Sequence, residues 1–126
     1  MDVYLVLEAM GLMIAGGRDA SVGVGGLVTG GGISFFSPRA GFVCDNVVNF
    51  EVVLGSGEIV SANATSNRTL WTALKGGSNS LGIMTRVDMK TFQQGNFWGG
   101  QVVYPFSTLS QQLRLSLSSL DRRTMM

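Results

Sequence analysis

The sequence has no histidine, a single cysteine and only two prolines. Without histidine, these 126 residues cannot supply a Ser-His-Asp triad, a histidine-ligated metal or a histidine general base. The lone Cys44 cannot form an intrachain disulfide or a cysteine-rich metal site. These absences exclude several common catalytic centres from the chain, and we predict no metal site.

Charge is scarce and balanced. Charged residues make up 13% of the chain, against about 25% in a typical soluble domain. Nine Lys and Arg oppose eight Asp and Glu, which gives a formal net charge of +1. We therefore expect no nucleic-acid partner, because binding phosphates needs clustered cations. Since 45% of the residues are hydrophobic, the composition also differs from that of a disordered segment.

The apolar runs do not match export or membrane signals. Residues 9–15 are apolar but follow Asp2 and Glu8, whereas a secretory signal places positive charge before its apolar core. The uncharged run of residues 20–38 is interrupted by glycine and hydroxyl residues, which makes it too weakly apolar for a membrane span. We expect no membrane partner, and the compartment stays undetermined.

Apolar periodicity predicts the helices. One is expected over residues 3–12 with Gly11 near its end, and another over residues 69–75 with Gly76 as its stop. A third, amphipathic helix should begin at Thr108. Its apolar stripe, Leu109, Leu113, Leu117 and Leu120, implies a partner surface downstream in the protein.

Alternation of apolar and polar residues predicts the strands. Val48, Phe50, Val52 and Leu54 should share one face of a strand that turns at residues 55–58 into a second strand, residues 59–62. Ile83, Thr85, Val87 and Met89 should share one face of a later strand, and residues 101–104 form another. Residues 37–41 are expected to be a loop. Hairpins and helices in this order favour an α+β fold.

The densest feature is a glycine-rich stretch, residues 22–34, with six glycines between Gly23 and Gly32. In regular structure each costs about 0.5–1 kcal/mol relative to alanine, so the chain must need close backbone approach or positive φ there. Such backbone can cradle a phosphate or a flat heterocycle. The spacing fits neither G-x-G-x-x-G nor the Walker A loop. A tightly packed glycine corner without ligand is the alternative.

A second glycine cluster lies at residues 76–82, where a predicted helix ends, a polar turn follows and a strand begins. Alone it is an ordinary helix–loop–strand connection. Residues 44–47 and a hairpin connect the two clusters. Together the clusters indicate a ligand site more specifically than either does alone.

Taken in order, the motifs resemble the FAD-linked oxidases of vanillyl-alcohol oxidase or p-cresol methylhydroxylase type, above all the fungal berberine-bridge-enzyme-like branch. The resemblance extends from about Leu7 to Gln101. It rests on six segments: Gly16-Gly17-Arg18, Val22-Gly23-Val24-Gly25-Gly26, Thr29-Gly30-Gly31-Gly32, Asp45-Asn46-Val47, Leu74-Lys75-Gly76-Gly77-Ser78-Asn79 and Gly82-Ile83-Met84-Thr85-Arg86.

The resemblance implies FAD as cofactor and assigns residues to it. In that family FAD extends between two α+β subdomains. The residues expected to line it here are Val22, Gly23, Gly25, Gly26, Thr29, Gly30, Gly31, Ile33, Gly82, Ile83 and Thr85. A cysteinyl-flavin link is not expected, because the relevant stretch is Asp19-Ala20-Ser21, and Cys44 should be a small buried residue.

The resemblance also implies a domain plan and an activity. Residues 1–96 would be the C-terminal part, or second subdomain, of an FAD-binding domain, and residues 97–126 the truncated start of a substrate-binding domain. The full-length protein would bind FAD and a small-molecule substrate. It would oxidise that substrate by hydride transfer to flavin, commonly with reoxidation by oxygen. No catalytic base is assigned, and this fragment alone should be inactive. The alternatives are a non-catalytic remnant or a glycine-rich structural or interaction module without flavin.

Overall fold

A computed structural model describes residues 2–96 and 98–124. The chain divides into two compact units, with the boundary between Gly95 and Asn96. The first unit contains helices and strands in mixed order: α1 (Asp2–Glu8), β1 (Leu12–Met13), α2 (Val24–Thr29), α3 (Ser37–Ala40), a 3-10 turn (Val43–Asn46), β2 (Val47–Val53), β3 (Ile59–Asn63), α4 (Arg68–Leu74), β4 (Ile83–Met89) and β5 (Phe92–Gln93).

Two antiparallel sheets organise the first unit. The larger has the order β3-β2-β4, and a two-residue ladder joins β1 to β5. Phe50 and Val52 of β2 are fully buried, and they form one core cluster with Val28 of α2 and Leu74 of α4. The α+β prediction with antiparallel pairing is confirmed. The shared core fixes α2 and α4 on the three-stranded sheet.

The predicted hairpin is present, with Val53 paired to Ile59 and Asn49 to Asn63. One predicted face of β2 needs correction. Val48 is 45% exposed, whereas Val47 is buried. The reason is a register shift between Val47 and Asn49 against β4, which makes Val48 an extra residue and turns its side chain away from the core.

The predicted face of β4 is wrong in its first half. Ile83 is 71% exposed, and Met84 packs against the core in its place. Glu51 pairs with Arg86 while Val52 pairs with Met84, so Thr85 is the extra residue of a bulge. Since side chains alternate with period two, one inserted residue exchanges the two faces.

Three further expectations change. Residues 37–40 form the helix α3 where a loop was predicted, because Pro38 in the first turn has a preset φ and lacks only an N–H that needs no partner there. The first helix ends earlier than predicted, at Glu8, with Gly11 at φ +66° just beyond it. Residues 101–104 form no strand, because no ladder partner lies beside them among the described residues.

The second unit contains a 3-10 turn, Phe106–Thr108, and the helix α5, Leu109–Thr124. The predicted helix is present, and three leucines of its stripe, Leu109, Leu113 and Leu117, are exposed. The side chain of the fourth, Leu120, lies outside the described residues. Among the helices described, none has the length and apolar character to cross a membrane.

Candidate functional site

The first glycine cluster builds α2 and the turn after it. Gly23 precedes the helix in an extended conformation. A Cβ on Gly26 would meet nothing within 4 Å, and one on Gly25 would lie 3.3 Å from the Met84 Cε atom. The Thr29 hydroxyl is used locally, since it donates to the Gly25 carbonyl oxygen at 2.9 Å. At Gly26, α2 therefore presents bare backbone to open space.

The second glycine cluster links α4 to β4 through strained backbone. Gly76 has φ +107° and Gly82 has φ +144°, values that disfavour any residue with a Cβ. A Cβ on Gly77 would overlap the Ala73 carbonyl oxygen, and one on Gly82 would lie 2.7 Å from the Val53 carbonyl oxygen. Ser78 also adopts a left-handed conformation, with φ +57°. Packing against the protein's own backbone explains Gly77 and Gly82, and a positive φ explains Gly76.

The two clusters meet in space. The Ser78 amide donates to the Thr29 carbonyl oxygen at 3.0 Å, which ties the loop after α4 to the end of α2. Between them lies an open cavity of about 430 Å³, which we call the glycine groove. It is lined by Gly25, Gly26, Thr29, Leu74, Ser78, Asn79, Gly82, Ile83 and Met84.

The groove unites five of the eleven residues predicted to line the cofactor: Gly25, Gly26, Thr29, Gly82 and Ile83. The other six, Val22, Gly23, Gly30, Gly31, Ile33 and Thr85, lie outside the lining. Thr85 is engaged elsewhere, because its hydroxyl donates to the Glu51 Oε1 atom at 2.7 Å. Ile33 is 55% exposed.

Four lining residues were not assigned from the sequence: Leu74, Ser78, Asn79 and Met84. Ser78 and Asn79 stood within the second glycine cluster, so the polar turn itself was the available signal. Met84 stood in the segment of the resemblance that begins at Gly82, but strand alternation placed it on the polar face, and it lines the groove as a consequence of the Thr85 bulge.

The groove is electrically neutral and chemically mixed. Its wall is apolar at Leu74 and Met84, and none of its nine lining residues is ionisable. Among the residues that the structure describes, the groove-lining side chains of Ser78 and Asn79 make no hydrogen bond. A volume of this size suits part of a ligand rather than a whole dinucleotide. Bare backbone, an apolar wall and free polar groups fit a flat ring or sugar chain carrying hydrogen-bonding atoms.

The titratable groups near the groove have structural surroundings. Burial lowers the pKa of Lys75, whose ammonium lies 3.6 Å from the centre of the Trp71 ring. Cys44 is buried as expected, and burial also raises the pKa of its thiol, so the thiolate that reacts is disfavoured. In the described ranges, no three His, Cys, Asp or Glu side chains cluster as a metal site requires.

Comparisons with known proteins give a family match and similar relatives. The family described as "FAD binding domain" matches residues 1–63. The chain is 49% identical over 112 residues to the FAD-dependent monooxygenase CTB5 of Cercospora nicotianae, a match that covers 89% of this chain and 24% of that relative. The chain thus spans about a quarter of that relative's length.

Two solved structures are similar. VAO-type flavoprotein MtVAO615 from Myceliophthora thermophila C1 is 34% identical with a TM-score of 0.69, over 71% of this chain and 17% of that one. Physcomitrella patens BBE-like 1 is 37% identical with a TM-score of 0.66, over 73% of this chain and 20% of that one.

Proposed function

Because the chain belongs to the family of FAD binding domains, we propose that the glycine groove holds part of an FAD molecule. The resemblance to FAD-linked oxidases of the vanillyl-alcohol oxidase type is confirmed by the similar proteins, and FAD is the cofactor of this family. The observation that carries the proposal is the meeting of two distant glycine clusters around one open, neutral groove.

The residues of the groove fit this use in three ways. Gly26 leaves its backbone accessible, so a flat group can approach the peptide plane closely. Ser78 and Asn79 present hydroxyl and amide groups that can bond the ligand's polar atoms. Leu74 and Met84 offer an apolar surface for a ring. Together they would bind and orient the cofactor and keep water from one side of it.

When bound, FAD accepts a hydride from an organic substrate, and its electrons commonly pass to oxygen. We propose that the protein acts in such an oxidation of a small organic molecule. The relative from Cercospora nicotianae is named an FAD-dependent monooxygenase, which supports oxygen as co-substrate. The groove has no ionisable side chain, so an acid or base for the reaction would come from residues beyond the groove.

The domain plan remains part of this proposal. Residues 1–96 would supply one side of an FAD-binding domain, and residues 97–126 would begin a substrate-binding domain. The chain spans about a quarter of the relative from Cercospora nicotianae, so further FAD contacts would come from protein outside this sequence.

The experiment is a titration of FAD with the chain, in which binding is measured as quenching of the flavin fluorescence. Gly26→Phe should weaken binding at least about tenfold, because its ring would fill open space in the groove. Gly55→Phe is the matched control: this glycine lies in the β2–β3 turn, outside the groove, and its Cβ would also meet nothing within 4 Å. The control should bind as the wild type does.

Two results would overturn the proposal. Equal FAD affinity in Gly26→Phe and wild type would place the cofactor elsewhere. If the folded wild-type chain shows no saturable quenching, it is a glycine-rich module that does not bind flavin by itself. Wild-type binding can be too weak to survive gel filtration. If Gly26→Phe abolishes that weak binding in the titration, the result still supports FAD binding in the glycine groove.

A further inference from the structure

Tyr4 lies outside the glycine groove but contacts the segment that leads into it. Its hydroxyl donates to the Gly17 carbonyl oxygen at 3.1 Å, thirteen residues away. Its ring lies on Gly16, since a Cβ on Gly16 would overlap the Tyr4 Oη atom and stand 2.9 Å from Cζ. The helix α1 is thereby fastened to the Gly16–Gly17 backbone.

The next contact in the series is with α2. A Cβ on Gly17 would lie 3.3 Å from the Leu27 Cδ2 atom, and one on Gly32 would lie 3.0 Å from the Leu27 Cδ1 atom. The Leu27 side chain is therefore held between two stretches of glycine backbone. The far stretch is itself fixed, because the Val43 amide donates to the Gly32 carbonyl oxygen at 2.9 Å.

Leu27 belongs to the helix whose Gly25, Gly26 and Thr29 line the groove. That helix has six residues, too few to hold itself in place, because short helices depend on tertiary packing. Its position must come from contacts such as those of Leu27. The near contact, Gly17, is held in turn by Tyr4.

We infer that Tyr4 is a positioning residue of the glycine groove, acting through Gly16, Gly17 and Leu27 to fix α2. The inference rests on the proposed function only in naming FAD as the occupant. Tyr4 is not among the nine lining residues. Through Leu27 it adds to the core contact of Val28 in placing the bare backbone of α2. Loosening α2 would therefore weaken the groove even though every lining residue is intact.

The first test is hydrogen–deuterium exchange of the chain without FAD, read in two segments, residues 24–29 and residues 68–74. Tyr4→Phe removes only the hydroxyl. Exchange in residues 24–29 should rise about 2- to 10-fold, the range expected for one lost hydrogen bond, while residues 68–74 of α4 stay unchanged. Val6→Ala, an exposed position on the same helix, should change neither segment.

A double substitution tests the contact itself. Gly16→Ala should loosen α2 more than Tyr4→Phe does, because the new methyl overlaps the tyrosine. In Tyr4→Ala/Gly16→Ala that overlap is gone, so exchange in residues 24–29 should fall below the Gly16→Ala value. If residues 24–29 exchange as fast in the double variant as in Gly16→Ala, the inferred contact is wrong. An equal rise of exchange in both segments after Tyr4→Phe would also contradict it.

FAD titration of the same variants separates the two proposals. Tyr4→Phe should weaken FAD binding by about the same 2- to 10-fold, and Val6→Ala should not. If exchange changes as expected while the wild type binds no FAD, the proposed function fails and the positioning role stands. If FAD binding is intact in Tyr4→Phe and its exchange is unchanged, the positioning role fails alone.

Discussion

Open glycines of the first cluster and packed glycines of the second have opposite physical reasons. In the first, Cβ atoms on Gly23 and Gly26 would meet nothing within 4 Å. In the second, a Cβ on Gly82 would press on Val52 and on the Val53 carbonyl oxygen, both at 2.7 Å. Gly23 and Gly26 leave space empty, whereas Gly82 lets two backbone segments approach each other.

The difference separates binding from folding. Open glycine beside a groove contributes nothing to the protein's own packing and costs about 0.5–1 kcal/mol each in a helix. Glycine forced by neighbouring backbone is a requirement of the fold. Substitution of the open Gly26 should therefore change ligand binding, and substitution of the packed Gly82 should change stability.

The largest expected effect is at Gly82. Gly82→Ala should lower the free energy of unfolding by about 2–5 kcal/mol, because the alanine combines a disfavoured φ of +144° with close contacts to β2. Urea denaturation measures it. Gly55→Ala, which meets no atoms within 4 Å, should stay within about 0.5 kcal/mol of wild type. If Gly82→Ala changes the free energy of unfolding as little as Gly55→Ala does, the contrast between open and packed glycines is wrong.

A smaller effect of opposite sign is expected at Ser78. Ser78→Gly should raise the free energy of unfolding by about 0.5–1 kcal/mol, since it relieves a left-handed backbone at φ +57°. Asn67 is the matched control at φ +48°. Asn67→Gly should give no gain, because its amide donates to the Ser61 carbonyl oxygen and that bond is lost. Thermal denaturation of both variants compares them.

Gly26→Ala should be slightly stabilising, by about 0.5 kcal/mol, because the methyl enters empty space and alanine favours the helix. Chemical denaturation measures the change in stability, and the FAD titration measures any change in binding. Destabilisation by this methyl would mean that the first cluster, like the second, is glycine-rich for packing.

The smallest expected effect is the pH dependence of the stability that Tyr4 contributes. Burial raises the pKa of Tyr4 above its ordinary 10.0, so the folded state holds this proton more tightly than the unfolded state. Stability from this group is present below pH 10.0 and is lost as the pH rises above it. The stability advantage of wild type over Tyr4→Phe should therefore shrink from pH 9 to about pH 11. A constant difference would contradict the raised pKa.

Local patterns predicted many elements because their causes are local. The hairpin follows from alternation around Gly55 and Gly57, and α4 from apolar spacing that ends at Gly76. The strand β4 was placed correctly, yet its predicted core face was wrong in the first half, at Ile83 and Thr85. The Thr85 bulge arises from pairing with Glu51, which lies 34 residues away, and alternation within one strand carries no sign of it.

The groove was predictable only in part for the same reason. Gly25 and Gly82 stood out as glycine in a dense cluster, whereas Met84 looked like a residue on the polar side of a strand. The ladder of Leu12 with Gln93 was also missed, because two residues are too short to show a pattern. Contacts between distant segments decide such features.

By itself the sequence determined which chemistries the chain lacks, where its backbone can turn, and which family it resembles, because these depend on residue identity and near neighbours alone. Tertiary structure alone decided which glycines face empty space, which side of β4 reaches the core, and that residues 25–29 and 78–84 border one groove. Each of these is a distance between segments far apart in the chain, and such distances are set only when the apolar residues of both segments share a core.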